Sequence, residues 1–201
     1  MADTQPRRRI RQQVEEQLAE LAAAGVIDTA EEPEIDALLE WYCSEYPLAE
    51  RIERVGERYL VGLLVFFFLQ RRDVAYRHDT ELYHDAMYGT WLEESVAISD
   101  GVLDGLEYDI GADPQDGDGV RIECRLEDVR VVETLPDVDY IDHTAFIEML
   151  NRLVAAVSDD DRSYRWTFYS VRPDTTVYVL FLDAASWEVL QQYLAEASAD
   201  R

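Results

Sequence analysis

The sequence predicts an α+β fold, in which an all-helical N-terminal half is followed by a ββαββα antiparallel sheet with helices on one face. Three observations carry this expectation. Apolar residues recur at helical spacing over residues 1–98, and they alternate in several stretches after that. The change falls at the turn-rich stretches SDGVLDG and GADPQDGDG, close to Ser99.

Ile10, Val14, Leu18 and Leu21 mark a first helix, and Gly25 is placed to end it in a left-handed conformation. Ile35, Leu38, Leu39 and Tyr42 form the apolar stripe of a second, with Pro33 in its first turn and Pro47 as its stop. From Pro47, the series Leu48, Ile52, Val55 and Tyr59 leads into YLVGLLVFFFL, which predicts one long third helix that becomes apolar all round. That apolar run is far shorter than the ~20 residues of a membrane span, so it reads as a buried core helix. Leu82, Met87, Trp91 and Val96 fit a fourth helix, with Gly89 as its weak point.

In the second half, Val120, Ile122, Cys124 and Leu126 alternate with Arg121, Glu123 and Arg125, which predicts a strand. LEYDI is its expected partner, and the slip in alternation at Glu127–Asp128 reads as a bulge. Phe146, Leu150, Leu153 and Val157 mark a helix. YRWTFYSV and TVYVLFLD then form a hairpin turned at Pro173–Asp174. TVYVLFL is apolar on both faces, as suits a central strand, and SWEVLQQYLAEA is a final amphipathic helix. One boundary is expected near residue 99, between a helical region 1–98 and an α+β region 99–201; packing of the two as one domain stays open.

Charge narrows the setting. Asp and Glu number 43 against 18 basic residues, all of them Arg, giving a formal net charge of -25 and a pI near 4.2. Molar salt shrinks the Debye length to about 3 Å, so a chain this acidic is suited to salt. The carboxylate coat and missing Lys resemble the proteome style of salt-in halophiles, haloarchaea above all, which carries no catalytic residue across. The two cysteines cannot make a disulfide framework, and MADTQPRRRIRQQVEEQ lacks the apolar run of a secretory signal, so a cytoplasmic location is expected.

Chemical motifs are sparse. RHDTELYHD places Glu81 and His84 at the Glu-x-x-His spacing that helical bundles use for di-metal centres, with His78 close by. No second such pair exists, so a helix start capped by Asp79 or Thr80 accounts for the motif and no cofactor or metal is expected. A metal-dependent enzyme centred on His78, Glu81 and His84 is the alternative. GADPQDGDG fails as a calcium loop, because Pro114 falls at the first ligand and Arg125 at the bidentate Glu. A helix-turn-helix over residues 7–46 with RRRIR on phosphates is a further alternative, opposed by the acids of its second helix, Glu34, Asp36, Glu40 and Glu45.

These absences point to a non-enzymatic protein that binds other macromolecules, as a regulatory adaptor or assembly subunit. A protein partner or self-association is expected, nucleic acid is disfavoured, and no membrane is involved. The expected partner-binding residues lie on the hairpin: Arg162, Arg165, Thr167, Tyr169 and Arg172. If Tyr164, Trp166 and Phe168 point into the core, Arg165, Thr167 and Tyr169 share the opposite, open face. The competing expectation is that these Arg pair with carboxylates such as Asp161 or Glu123.

Overall fold

The computed structural model describes residues 4–79, 87–112, 119–136, 143–159, 161–168 and 176–198. Its elements run α1 (Thr4–Ala23), α2 (Glu32–Glu45), α3 (Leu48–Val55), α4 (Glu57–Arg71), β1 (Ala75–Asp79), α5 (Met87–Ile98) and β2 (Glu107–Ala112). They continue through β3 (Gly119–Leu126), β4 (Val129–Pro136), α6 (His143–Val157), β5 (Ser163–Phe168), β6 (Thr176–Leu182) and α7 (Ala184–Ser198). The fold is α+β, as the sequence predicts. Its contacts divide it into two compact units, Met1–Ala75 with Asp183–Arg201, and Tyr76–Leu182. The division therefore falls some way before residue 99, and the final helix returns to the first unit.

In the first unit, Ile10, Val14, Leu18 and Leu21 of α1 and Ile35, Leu38, Leu39 and Tyr42 of α2 are buried as their spacing requires. Gly25, at φ 77°, ends α1. The carboxylate of Glu34 accepts a bond from the Glu31 backbone N–H at 3.0 Å and also holds Arg72 at the end of α4. Helix α4 packs against α1, α2, α3 and α7, which explains why it is apolar all round.

The expected long helix from Pro47 is two helices, broken at Gly56 with φ 83°. The apolar spacing continues across the break, so periodicity alone could not reveal it. A Cβ at Gly56 would meet nothing within 4 Å, so a substitution there acts on the backbone alone. Gly56→Ala is expected to destabilise by about 1–3 kcal/mol, since φ 83° with ψ 154° is a backbone conformation essentially confined to glycine, and a thermal melt in molar KCl reads it. A stabilised variant would mean that the helix is continuous in solution.

In the second unit the strands form two three-stranded sheets, ordered β2-β3-β4 and β1-β6-β5, rather than a single four-stranded one. LEYDI does pair with β3, antiparallel, with Tyr108 opposite Cys124. The expected bulge at Glu127–Asp128 is instead a tight turn, with Glu127 at φ 52° and Leu126 paired to Val129, and β4 follows it. Strand β6 is central as expected; its residues Val177 to Leu182 are all buried. Its second neighbour is β1, a strand running through Asp79 where a helix cap was expected. Helix α5 begins at Met87, and residues 80–86 of the RHDTELYHD motif lie outside the described residues.

Helix α6 packs on β4 and β5, and its Phe146, Leu150 and Leu153 join Tyr88, Trp91, Ile122, Cys124 and Val179 in one core cluster. Asn151 of α6 bonds the backbone of Tyr164 in both directions, donating to its carbonyl at 3.0 Å and accepting from its N–H at 2.7 Å. The side chain thus stands in for a missing strand neighbour at the edge of β5. Tyr164 donates its buried hydroxyl to the Ser95 carbonyl of α5 at 2.7 Å. Burial pushes the Cys124 thiol up to about 11, so it is a core group and no nucleophile at neutral pH. Among the described residues no helix is long and apolar enough to cross a membrane.

Candidate interaction surfaces

The hairpin residues expected to bind a partner are unevenly placed. Arg162 donates to Asp100 at 3.1 Å, and its guanidinium lies 5.0 Å from the ring centre of Phe181. Arg165 and Thr167 are half-buried rather than open. The Nε of Arg165 is enclosed without a hydrogen-bond partner. Tyr164 is buried and Trp166 packs on the core cluster, as the alternation requires. Tyr169 and Arg172 lie outside the described residues. Arg162 therefore pairs with a carboxylate, Asp100, as the competing expectation has it for these arginines.

Glu123 is occupied by other arginines. It sits at the middle of β3, on the face turned away from Ile122 and Cys124, and is only 4% exposed. Arg121 and Arg125 flank it along the strand, and all three arginines that reach it belong to β3 or β4. Arg125 donates its Nε to the carboxylate at 2.8 Å, and Arg130 of β4 donates Nε and Nη2 at 2.7 Å each. Arg121 and the Nη2 of Arg125 complete the set. These charge-assisted bonds hold the Glu123 carboxyl far below the ordinary glutamate range, so it stays ionised.

A second surface lies on the first unit, where α2, α3 and α4 bring aromatic and cationic side chains together. Trp41 and Tyr46 are each 38% exposed. Trp41 meets Phe67 edge to face at 5.3 Å, and Tyr42 lies 5.2 Å from Tyr46. Arg71 stacks 4.9 Å from the Trp41 ring centre and Arg51 4.2 Å from that of Tyr46, within cation–π range. Trp41 stands outside the stripe of Ile35, Leu38, Leu39 and Tyr42. A tryptophan beside an apolar stripe, and not in it, is the sequence signal that could have pointed here.

Among the described residues no group of three or more His, Cys, Asp or Glu could hold a metal ion, while Glu81 and His84 lie outside them. No family model matches the chain, and no curated protein or solved structure matches it either.

Proposed function

We propose that the protein is a non-enzymatic binding protein, a regulatory adaptor or assembly subunit, working in the cytoplasm of a salt-accumulating cell. One observation supports this above the others: the exposed pair Trp41 and Tyr46, each carrying a stacked arginine. Trp, Tyr and Arg are the residues in which interface binding energy concentrates, because each combines a large rigid contact area with a polar end. Such contacts survive molar salt, where long-range steering between charges is screened away. The β5–β6 hairpin, with Arg165, Thr167, Tyr169 and Arg172, is retained in this proposal as a lesser contact, since the described part of it is half-buried.

The test is a pull-down in molar KCl with the parent and with Trp41→Ala/Arg71→Ala. Trp41 is 38% exposed and its ring also packs on Phe67, so a fall of a few degrees in melting temperature is expected and the pull-down is done well below it. Loss of more than about 2 kcal/mol of partner binding or self-association, read as lost recovery or a shifted assembly state, is the expected result. Unchanged recovery and unchanged assembly state would overturn the assignment.

A further inference from the structure

We propose that the free edge of strand β2 receives an extended basic segment of a partner protein, which joins the β2-β3-β4 sheet as a further strand. The site is on the second unit and does not depend on the Trp41 patch. It is made first of main chain, because an edge strand presents a row of N–H and C=O groups that a second chain can pair. β2 ends the sheet order, and among the described residues only β3 pairs with it. Five of its six residues are exposed, and Ile110 alone is half-buried. The other sheet treats an edge differently, since the Asn151 side chain takes up the backbone of Tyr164 on β5. EYDIGA has no proline, and among the described residues no side chain covers it in that way, so the usual guards of an edge are missing.

Charge selects the occupant. The register sets Glu107 opposite Arg125 and Asp109 opposite Glu123, so both acids stand on the outward face of the sheet. Arg121, Arg125 and Arg130 all turn to Glu123, and neither Glu107 nor Asp109 forms an ion pair with them. A strand added beside β2 would lie about 5 Å from these two acids and about 10 Å from β3. Its side chains can touch Glu107 and Asp109, whereas the arginines lie beyond β2 and are screened over a Debye length of about 3 Å in molar salt. Opposite charges directly across a strand pair stabilise it and like charges oppose it, so cations facing Glu107 and Asp109 are favoured. A second copy offering its own β2 would set Asp109 against Asp109, or Glu107 against Asp109, in registers centred on Asp109 or Tyr108.

The other side of the strand specifies the residues in between. Tyr108 is 38% exposed, and its hydroxyl donates to Glu93 of α5 at 3.0 Å, which holds the ring at the rim of the sheet. Ile110, next on that side, packs partly against the core cluster. Apolar residues of the added strand would extend this layer, so the occupant alternates basic and apolar residues. A phosphodiester chain lacks the row of N–H donors and brings the wrong charge.

Fluorescence anisotropy with a labelled synthetic peptide of alternating Lys and Val, titrated with the full chain in molar KCl, tests the proposal. Saturable binding is expected, weakened at least about tenfold when the peptide is N-methylated throughout, which removes its main-chain donors and keeps its charge. A peptide of alternating Glu and Val should bind at least about tenfold more weakly than the Lys peptide. Both comparisons use the parent chain and stay decisive whether or not a variant folds. Glu107→Lys/Asp109→Lys should reverse the preference between the two peptides. Absent binding, equal binding of the N-methylated peptide, equal binding of the Glu peptide, or an unchanged preference in the folded double variant overturns the proposal. So does concentration-dependent dimerisation that the Lys peptide reverses, which would give the edge to a second copy.

Discussion

Exchange from molar KCl into dilute buffer is expected to unfold the protein, with loss of the helical circular dichroism signal and its recovery when salt is restored. The cause is the formal charge of -25, which repels itself over a Debye length of about 10 Å at 0.1 M and about 3 Å at 1 M. Local ion pairs do not offset it. Glu32 and Asp100 keep 83% and 82% of their side-chain exposure while paired with Arg11 at 3.6 Å and Arg162 at 3.1 Å. Exposed pairs of this kind contribute about 0–1 kcal/mol each. An unchanged spectrum and melting temperature in dilute buffer would remove the halophile reading, and with it the cellular setting proposed above.

Phe146→Ala is expected to be the most damaging single substitution in the second unit, costing about 3–5 kcal/mol. Phe146 is 1% exposed and lies 5.5 Å from Trp91 and 5.9 Å from Tyr88, so truncation removes aromatic contacts from α5 and leaves a cavity under α6. At about 2–4 °C per kcal/mol for a chain of this size, the melting temperature in molar KCl should fall by about 10 °C. A loss below about 1 kcal/mol would mean that the core of the second unit does not include α6.

The helices were legible because each buries a stripe. The stripes of α1 and α2 stand in the sequence at the residues that are buried, as do Phe146, Leu150 and Leu153 of α6, while Val157 is half-buried. The Gly56 break was hidden, since Ile52, Val55 and Tyr59 keep helical spacing on both sides of a backbone turn. Strand β1 was hidden for a different reason: AYRHD is short and polar, and becomes a strand because β6 offers it an open edge. β4 could have been read, since Val129, Val131 and Leu135 alternate with Arg130 and Thr134; the error was to take the turn at Glu127 for an irregularity within one strand. Of the two surfaces, the alternation of Arg121, Glu123 and Arg125 was visible, but their convergence needed Arg130 from a strand that periodicity had not separated. The cation–aromatic patch joins three helices, and no spacing rule within one segment could assemble it.

Because α7 packs on α4 and α1, yet follows the whole of the second unit along the chain, the first unit is completed last as the protein is made. At about 5–20 residues per second, the roughly one hundred residues between α4 and α7 take on the order of five to twenty seconds to emerge from the ribosome. Through that interval the apolar surface of α4 destined for α7 has no cover, while the second unit has its complete sequence and can fold first. The nascent first unit is thus the stage at which chaperone capture or misassembly has its opening, and the arrival of α7 closes it.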